Sequence, residues 1–228
     1  MKVFSMLSVA TVGLGVTFVY ASSAHALLIN GDFSLGLTGW TPYTTANGVI
    51  GMPAVTSFDV TGLGASPAAR LQVGQEVFSP GLQSGGGLSQ TFTGPEGDYS
   101  FTYDFASLSS EGNSSGGLFS LIFNGTVLDS FDTALVSANT PVRGSLSGFL
   151  AGVEAGTHEI RIQSTRPFTV DPDIAELFPV QYFDNVVATA THVPGPLPLL
   201  GVGAAFGFSR KLRKRIKGSK LPVESTIN

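Results

Sequence analysis

The 228-residue sequence contains no cysteine, which excludes disulfide bonds, thiolate metal sites and cysteine catalysis. It does not exclude export, because a domain of ordinary size buries enough apolar surface to fold without disulfides. Between the two ends of the chain there is also no long apolar stretch with helical spacing, so a helical bundle is not expected. The middle is instead rich in Gly, Ser, Thr, Phe and Val, a composition typical of strands and turns.

Cations are scarce in the middle of the chain. Residues 27–192 contain four arginines against fifteen carboxylates, which leaves a formal charge of −11. The other basic residues are one near the N-terminus and seven close to the C-terminus. A domain with this charge repels the phosphate backbone, so nucleic acid is not expected as a partner.

The first 26 residues have the pattern of a secretory signal peptide. One early cation is followed by an apolar run from Val3 to Tyr20, and small residues stand at Ala24 and Ala26. Small side chains at these two positions fit signal peptidase. The sequence therefore predicts export, with cleavage before Leu27; an uncleaved N-terminal membrane helix is the alternative.

The other end of the chain carries an uncharged stretch of sixteen residues, 193–208. As a helix it would be about 24 Å long, shorter than the ~30 Å hydrocarbon core, so it predicts a short transmembrane helix that is a marginal anchor. A basic cluster follows it: Arg210, Lys211, Arg213, Lys214 and Arg215. Because such a cluster stays cytoplasmic, residues 27–192 are expected on the outer side of the membrane.

This order of a short proline motif, an apolar segment and a basic cluster resembles the PEP-CTERM sorting signal, in the form seen in cyanobacteria. The resemblance covers residues 193–217, with a polar tail at 218–228, and Gly195 stands where the name-giving motif has Glu. It implies that an exosortase recognises Val193, Pro194, Gly195 and Pro196, cleaves nearby and passes the domain to the cell surface or matrix. A plain membrane anchor without processing is the alternative.

Between the two ends, strand-like runs recur with short turn-forming segments between them. The runs are residues 87–93, 98–106, 118–123, 126–131, 157–164 and 180–188. Apolar and polar residues alternate strictly in 99–105 and 158–163, as in strands with one buried face. Asn124–Gly125 predicts a hairpin turn, and the glycine-rich stretch 84–87 predicts a loop. We expect one all-β domain over residues 27–192, an antiparallel β-sandwich.

The opening residues 28–33 with Gly39-Trp40, and the closing residues 182–186, resemble the first and last strands of galactose-binding-like, carbohydrate-binding jelly rolls. The resemblance implies that these two segments lie side by side with a structural calcium ion between them. Asp32 and Asp184 are the carboxylates that would serve as hard oxygen ligands. The alternative is that Asp32 is a turn residue and Asp184 an edge residue, with no metal.

Sugar-binding domains stack pyranose rings on exposed aromatic side chains. Tyr43, in the polar stretch Thr-Pro-Tyr-Thr-Thr, and Trp40 are the candidate ligand-binding residues. Trp40 has a competing interpretation as the buried tryptophan that follows the first strand of similar domains.

Together these patterns predict an exported, non-catalytic surface or matrix protein that contacts exopolysaccharide or envelope glycan. Signal peptidase and exosortase would be its partners during export. Two alternatives stay open. One is a glycan-active hydrolase that uses paired acids such as Asp129 and Asp132. The other is a structural sheath protein without a ligand.

Overall fold

The computed structural model describes residues 24–170 and 179–191, and every regular element in these residues is a β-strand. The strands are β1 (Ala24–Ala26), β2 (Thr41–Thr44), β3 (Gly48–Phe58), β4 (Ser66–Gln75), β5 (Ser84–Gly94), β6 (Gly97–Leu108), β7 (Ser114–Ser115), β8 (Leu118–Phe123), β9 (Thr126–Asp132), β10 (Leu135–Val136), β11 (Val142–Val153), β12 (Gly156–Arg166) and β13 (Val180–Thr191).

The strands form two antiparallel sheets. The first sheet has the order β11-β6-β13-β4-β3, with β1 also paired to β13, and the second has the order β2-β5-β12-β8-β9. Strands β7 and β10 form a small separate pair. Because β4, β5 and β6 alternate between the sheets, as do β11, β12 and β13, the chain repeatedly crosses from one layer to the other, as in a jelly roll. The predicted all-β antiparallel sandwich is confirmed.

Alternating side chains build the core between the two sheets. In β6, Ser100 and Thr102 are exposed, whereas the residues between and beside them are 1% exposed or less: Tyr99, Phe101, Tyr103 and Phe105. Strand β8 supplies buried partners from the second sheet, and the rings of Phe105 and Phe119 stack with centroids 4.3 Å apart. Burying rings of this size supplies most of the driving force that holds the sheets together.

The predicted hairpin turn joins β8 to β9. Asn124 and Gly125 have φ angles of 47° and 80°, the left-handed values that a type I′ turn requires at both positions. The Asn124 side chain also fixes the turn to β12, because its Oδ1 accepts a hydrogen bond from Glu159 N at 2.8 Å and its Nδ2 lies 3.1 Å from His158 Nδ1. The hairpin prediction is confirmed.

The glycine-rich stretch at residues 84–87 is a strand and not the loop that the sequence predicts. It forms the first part of β5, between β2 and β12. A Cβ added at Gly86 would meet the carbonyl oxygen of Tyr43, and one added at Gly87 would meet that of Ile162. Glycine is therefore needed here because neighbouring backbones approach closely. In the sequence, such glycines look the same as those of a flexible loop.

The opening and closing segments lie side by side, as the carbohydrate-binding resemblance implies. Leu27 N donates to Ala188 O at 3.0 Å, and Val186 N donates to Gly31 O at 2.9 Å. Strand β1 continues this pairing, with Ala24 opposite Thr191. The backbone at the predicted cleavage residues Ala24 and Ala26 is thus in a strand, and their cleavage stays a prediction.

Several predictions lie outside the described residues. They are the first 23 residues of the predicted signal peptide, the motif Val193–Pro196 and the basic cluster Arg210, Lys211, Arg213, Lys214 and Arg215. Among residues 24–170 and 179–191, there is no helix of the length and apolarity needed to cross a membrane.

Candidate functional site

The outer face of the second sheet carries a set of side chains that contact one another across three strands. Along β12, Ile160 and Ile162 point into the core, so the residues that alternate with them face outward. The strand register places Gln163 opposite Gly87 of β5, and Gly87 opposite Tyr43 of β2. Because Gly87 has no side chain, Tyr43 reaches across β5 toward β12.

The Tyr43 ring is held by two contacts. Its hydroxyl donates to Gln163 Oε1 at 3.0 Å, and the guanidinium carbon of Arg161 lies 4.9 Å from the ring centroid, a cation–π distance. Arg161 in turn forms an ion pair with Glu159, with Nη2 and Oε2 2.9 Å apart. We call Tyr43, Glu159, Arg161 and Gln163 the Tyr43 face.

The electrostatics of the Tyr43 face are balanced. The side chains of Arg161 and Glu159 are 40% and 32% exposed, and their opposite charges offset each other. Desolvation raises the pKa of the Tyr43 phenol well above its ordinary value; the Arg161 charge opposes this shift and the Glu159 charge adds to it. The phenol therefore stays a protonated hydrogen-bond donor at neutral and moderately alkaline pH.

This arrangement offers what a polyhydroxyl ligand needs. It combines an aromatic ring with a guanidinium, an amide and a carboxylate, whose donors and acceptors match sugar hydroxyls. The Arg161 Nε–H group is buried and has no hydrogen-bond partner among the described residues. Exposed hydroxyls of outward-pointing residues extend the polar surface along β2 and β5: Thr41, Thr91 and Thr93.

Trp40 is a buried core residue, the second of the two interpretations that the sequence allows. Its side chain is 5% exposed and packs on Phe33, with ring centroids 5.6 Å apart. Its Nε1 donates to the carbonyl oxygen of Asn30 at 3.0 Å. Trp40 is thus a core residue that fixes the opening loop to the sandwich, and it presents no free ring face to a ligand.

The two candidate calcium ligands differ in environment. Asp32 is exposed and its Oδ1 accepts bonds from the hydroxyl of Ser34 at 2.9 Å and from Ser34 N at 3.3 Å, which is a turn role. Asp184 is 1% exposed and accepts from Ser66 Oγ at 2.5 Å and from Asn185 N at 2.7 Å.

The fold also opposes the ionisation of Asp184. Desolvation raises its pKa, and the negative charges of Asp104 and Asp32 add to that shift. Calcium takes six to eight oxygen ligands. Within residues 24–170 and 179–191, no group of three His, Cys, Asp or Glu residues is arranged to hold a metal. The calcium site at Asp32 and Asp184 stays a prediction.

The acids Asp129 and Asp132, considered for hydrolysis, both accept hydrogen bonds from backbone amides. Asp129 accepts from Ser130 N at 2.8 Å and from Ser147 N at 3.0 Å, so it links β9 to β11. Asp132 accepts from Ala134 N at 2.8 Å. Both carboxylates therefore have structural partners in the fold.

Sequence reasoning identified Tyr43 but not Glu159 and Gln163. The alternation in residues 158–163 does place all the outward positions of β12 on one face. The alternation does not show that β2 lies two strands away from β12, because the pairing that brings Tyr43 to Gln163 joins residues about 120 positions apart. The missed signal is the glycine opposite Tyr43, which leaves room for a large ring.

No family model matches the chain, and no curated protein matches it. Solved structures that are similar to it include the enzymatically active domain of tailspike protein 4 of bacteriophage CBA120. That structure is 18% identical, with a TM-score of 0.41, over 72% of this chain and 21% of that one. The CBM22-1–GH10 modules of xylanase Xyn10B from Clostridium thermocellum are 13% identical, with a TM-score of 0.43, over 74% and 29%.

A third similar structure is the CBM22-1 xylan-binding domain of Xyn10C from Paenibacillus barcinonensis. It is 10% identical, with a TM-score of 0.39, over 77% of this chain and 99% of that one. The chain spans less than a third of the first two structures. At these identities and TM-scores, the likenesses assign no ligand or activity to this chain.

Proposed function

We propose that this chain is an exported, non-catalytic surface or matrix protein whose Tyr43 face binds a glycan. The observation that carries the proposal is the Tyr43 ring held on the sheet by Gln163 and Arg161. A ring fixed in this way loses little side-chain entropy when a ligand binds, which favours affinity. The neutral balance of Arg161 and Glu159 favours an uncharged glycan over a strongly anionic one.

Binding is tested by affinity electrophoresis of the full chain in gels that contain exopolysaccharide from the producing cells, or xylan, mannan or β-glucan. We expect one of these to retard the wild-type protein, and Tyr43→Ala to weaken retardation by roughly tenfold or more, since loss of an aromatic anchor costs more than about 1 kcal/mol.

The matched control is Phe149→Ala, because Phe149 is an exposed aromatic residue on the outer face of the other sheet. Its removal should leave retardation unchanged. Equal retardation of wild type and Tyr43→Ala would contradict the proposed site. Release of new reducing ends from the retarding polysaccharide would instead support the hydrolase alternative.

Export and sorting are tested separately. We expect mass spectrometry of the protein recovered from envelope and medium to show an N-terminus at Leu27 and a C-terminus near Pro194. An intact Asn228 in the envelope fraction would support plain anchoring, and an intact Met1 in cytosol would contradict export.

A further inference from the structure

The outer face of the first sheet contains a cavity that the sequence does not indicate. It has a volume of about 240 Å³ and lies between the loop at residues 59–65 and the adjacent ends of β6 and β11. Its lining residues are Val60, Thr61, Asp104, Arg143, Gly144 and Ser145. We call it the Asp104 cavity.

Asp104 is held in position by both neighbouring strands. The Ser145 hydroxyl of β11 donates to Asp104 Oδ1, and Asn185 Nδ2 donates to Asp104 Oδ2 at 2.9 Å. Asn185 reaches it because β13 has a bulge there, where Asn185 has a φ of 51°. A carboxylate oxygen can accept two hydrogen bonds, so each oxygen of Asp104 can take one more bond from a ligand.

The loop that forms the other wall is also fixed. Asp59 Oδ1 accepts from Gly62 N at 2.6 Å and from Gly64 N at 3.2 Å. Arg143 Nε donates to Asp59 O at 2.9 Å, which links the loop to β11. Val60 is 1% exposed and anchors the loop on the sheet. The cavity is therefore formed before any ligand arrives, which lowers the cost of binding.

Charge and size limit the ligand. Asp104 and Arg143 are the charged residues of the cavity wall, and Thr61 and Ser145 contribute hydroxyls. Arg143 is already ion-paired with Asp59, with Nη2 and Oδ2 3.6 Å apart. Because the Arg143 charge is offset by Asp59, the Asp104 carboxylate is in excess, so the polar wall disfavours an anion and favours a neutral ligand with many hydroxyl groups. A volume below the roughly 300 Å³ of the smallest drug-sized pockets fits a ligand of the size of one sugar ring.

We propose that the Asp104 cavity is a second binding site, which takes a single neutral sugar unit. Two adjacent ligand hydroxyls donate to the two oxygens of Asp104, as a carboxylate accepts paired donors. Arg143 donates to a ligand oxygen. This site lies on the opposite outer face from Tyr43, so the two sites act independently.

The test uses the full chain and the monosaccharides glucose, galactose and mannose, with binding measured by saturation-transfer difference NMR. We expect at least one sugar to bind, and Asp104→Asn to weaken its apparent affinity by roughly tenfold or more, because hydrogen bonds to a charged group are lost. Ser145→Ala should weaken it by a smaller factor, because the carboxylate remains but is less well oriented.

The matched control is Asp98→Asn, which changes another carboxylate on the outer face of β6 that accepts a backbone hydrogen bond. It should bind like wild type. Near-ultraviolet circular dichroism checks that each variant is folded. Tyr43→Ala should also bind the monosaccharide normally, so failure of the proposed glycan site and failure of this cavity are distinguishable.

Three results would overturn the proposal. The first is that none of the three sugars gives a transfer signal. The second is an equal signal in wild type and in Asp104→Asn. The third is a signal that disappears in Tyr43→Ala but not in Asp104→Asn.

Discussion

The outer faces of the two sheets follow the same alternating pattern but present different surfaces. On the second sheet, Tyr43 lies across a glycine and bonds to side chains of β12. On the first sheet, Tyr182 also points outward, yet it is 7% exposed and Phe58 stacks on it with centroids 3.7 Å apart. The loop at residues 59–65 adds Val60 to this apolar cluster.

The difference shows that strand periodicity predicts which face a side chain points to, but not whether a ligand can reach it. Tyr182 contributes to stability because other residues cover it, whereas Tyr43 is only partly buried and keeps a polar surrounding. An aromatic residue at an outward position is a ligand candidate only where no loop crosses the sheet.

The largest expected effect comes from the core that both faces share. Phe119→Ala removes a fully buried ring stacked on Phe105 and should lower the free energy of unfolding by about 3–5 kcal/mol. Urea denaturation measures this loss. Phe149→Ala, at a 63% exposed ring, should change stability by less than about 0.5 kcal/mol; equal losses would contradict the assigned burial.

A second change tests whether close backbone approach supports the Tyr43 face. In Gly87→Ala the new Cβ would meet the Ile162 carbonyl oxygen, so the free energy of unfolding should fall by about 1–3 kcal/mol. Gly156→Ala is the control, because no atom lies within 4 Å of its added Cβ. A Gly87 variant as stable as the Gly156 variant would show that the strands are not packed this tightly.

The third change separates recognition from stability on the Tyr43 face. Arg161→Ala removes the cation–π contact and a partly exposed ion pair, so it should cost less than about 1 kcal/mol of stability. Its retardation by the glycan should nevertheless weaken several-fold. A large stability loss in thermal unfolding, with unchanged retardation, would mean that Arg161 is structural.

The smallest effect concerns Asp184 on the other face. Because burial raises its pKa above the ordinary 3.8, the folded state binds the proton more tightly than the unfolded chain does. The ionised carboxylate therefore lowers stability above the folded pKa, and this penalty disappears as pH falls. In the presence of a chelator, Asp184→Asn should raise the melting temperature slightly at pH 7, with a smaller gain near pH 4.

Asp184→Asn also tests the predicted calcium site. If a calcium ion is bound by Asp32 and Asp184, wild type should melt at a higher temperature with calcium than with chelator, and Asp184→Asn should lose this difference. Identical wild-type melting curves in calcium and in chelator would remove both residues as metal ligands.

Much of the fold follows from residues whose type and spacing agree. Strands β6, β8 and β12 were predicted because Phe, Tyr and Ile alternate with polar residues or cluster in them. Strands β3, β4 and β11 were missed because Gly, Ala, Pro and Ser interrupt the pattern. In these strands, pairing with neighbours overrides weak local preference.

The site was predictable only in part for the same reason. Tyr43 is recognisable as an aromatic residue in a polar stretch, but its partner Gln163 is set by the register of β2, β5 and β12. The Asp104 cavity depends on a loop, on two strands and on a bulge at Asn185. Contacts between residues so far apart in the sequence produce no local sequence pattern from which the site could be predicted.

The most direct measurement is an NMR titration of the isotopically labelled full chain with the polysaccharide that retards it. Binding at the Tyr43 face predicts the largest shift changes at Tyr43, Arg161 and Gln163. Shift changes confined to the first sheet, or absent from β2 and β12 at saturation, would contradict it.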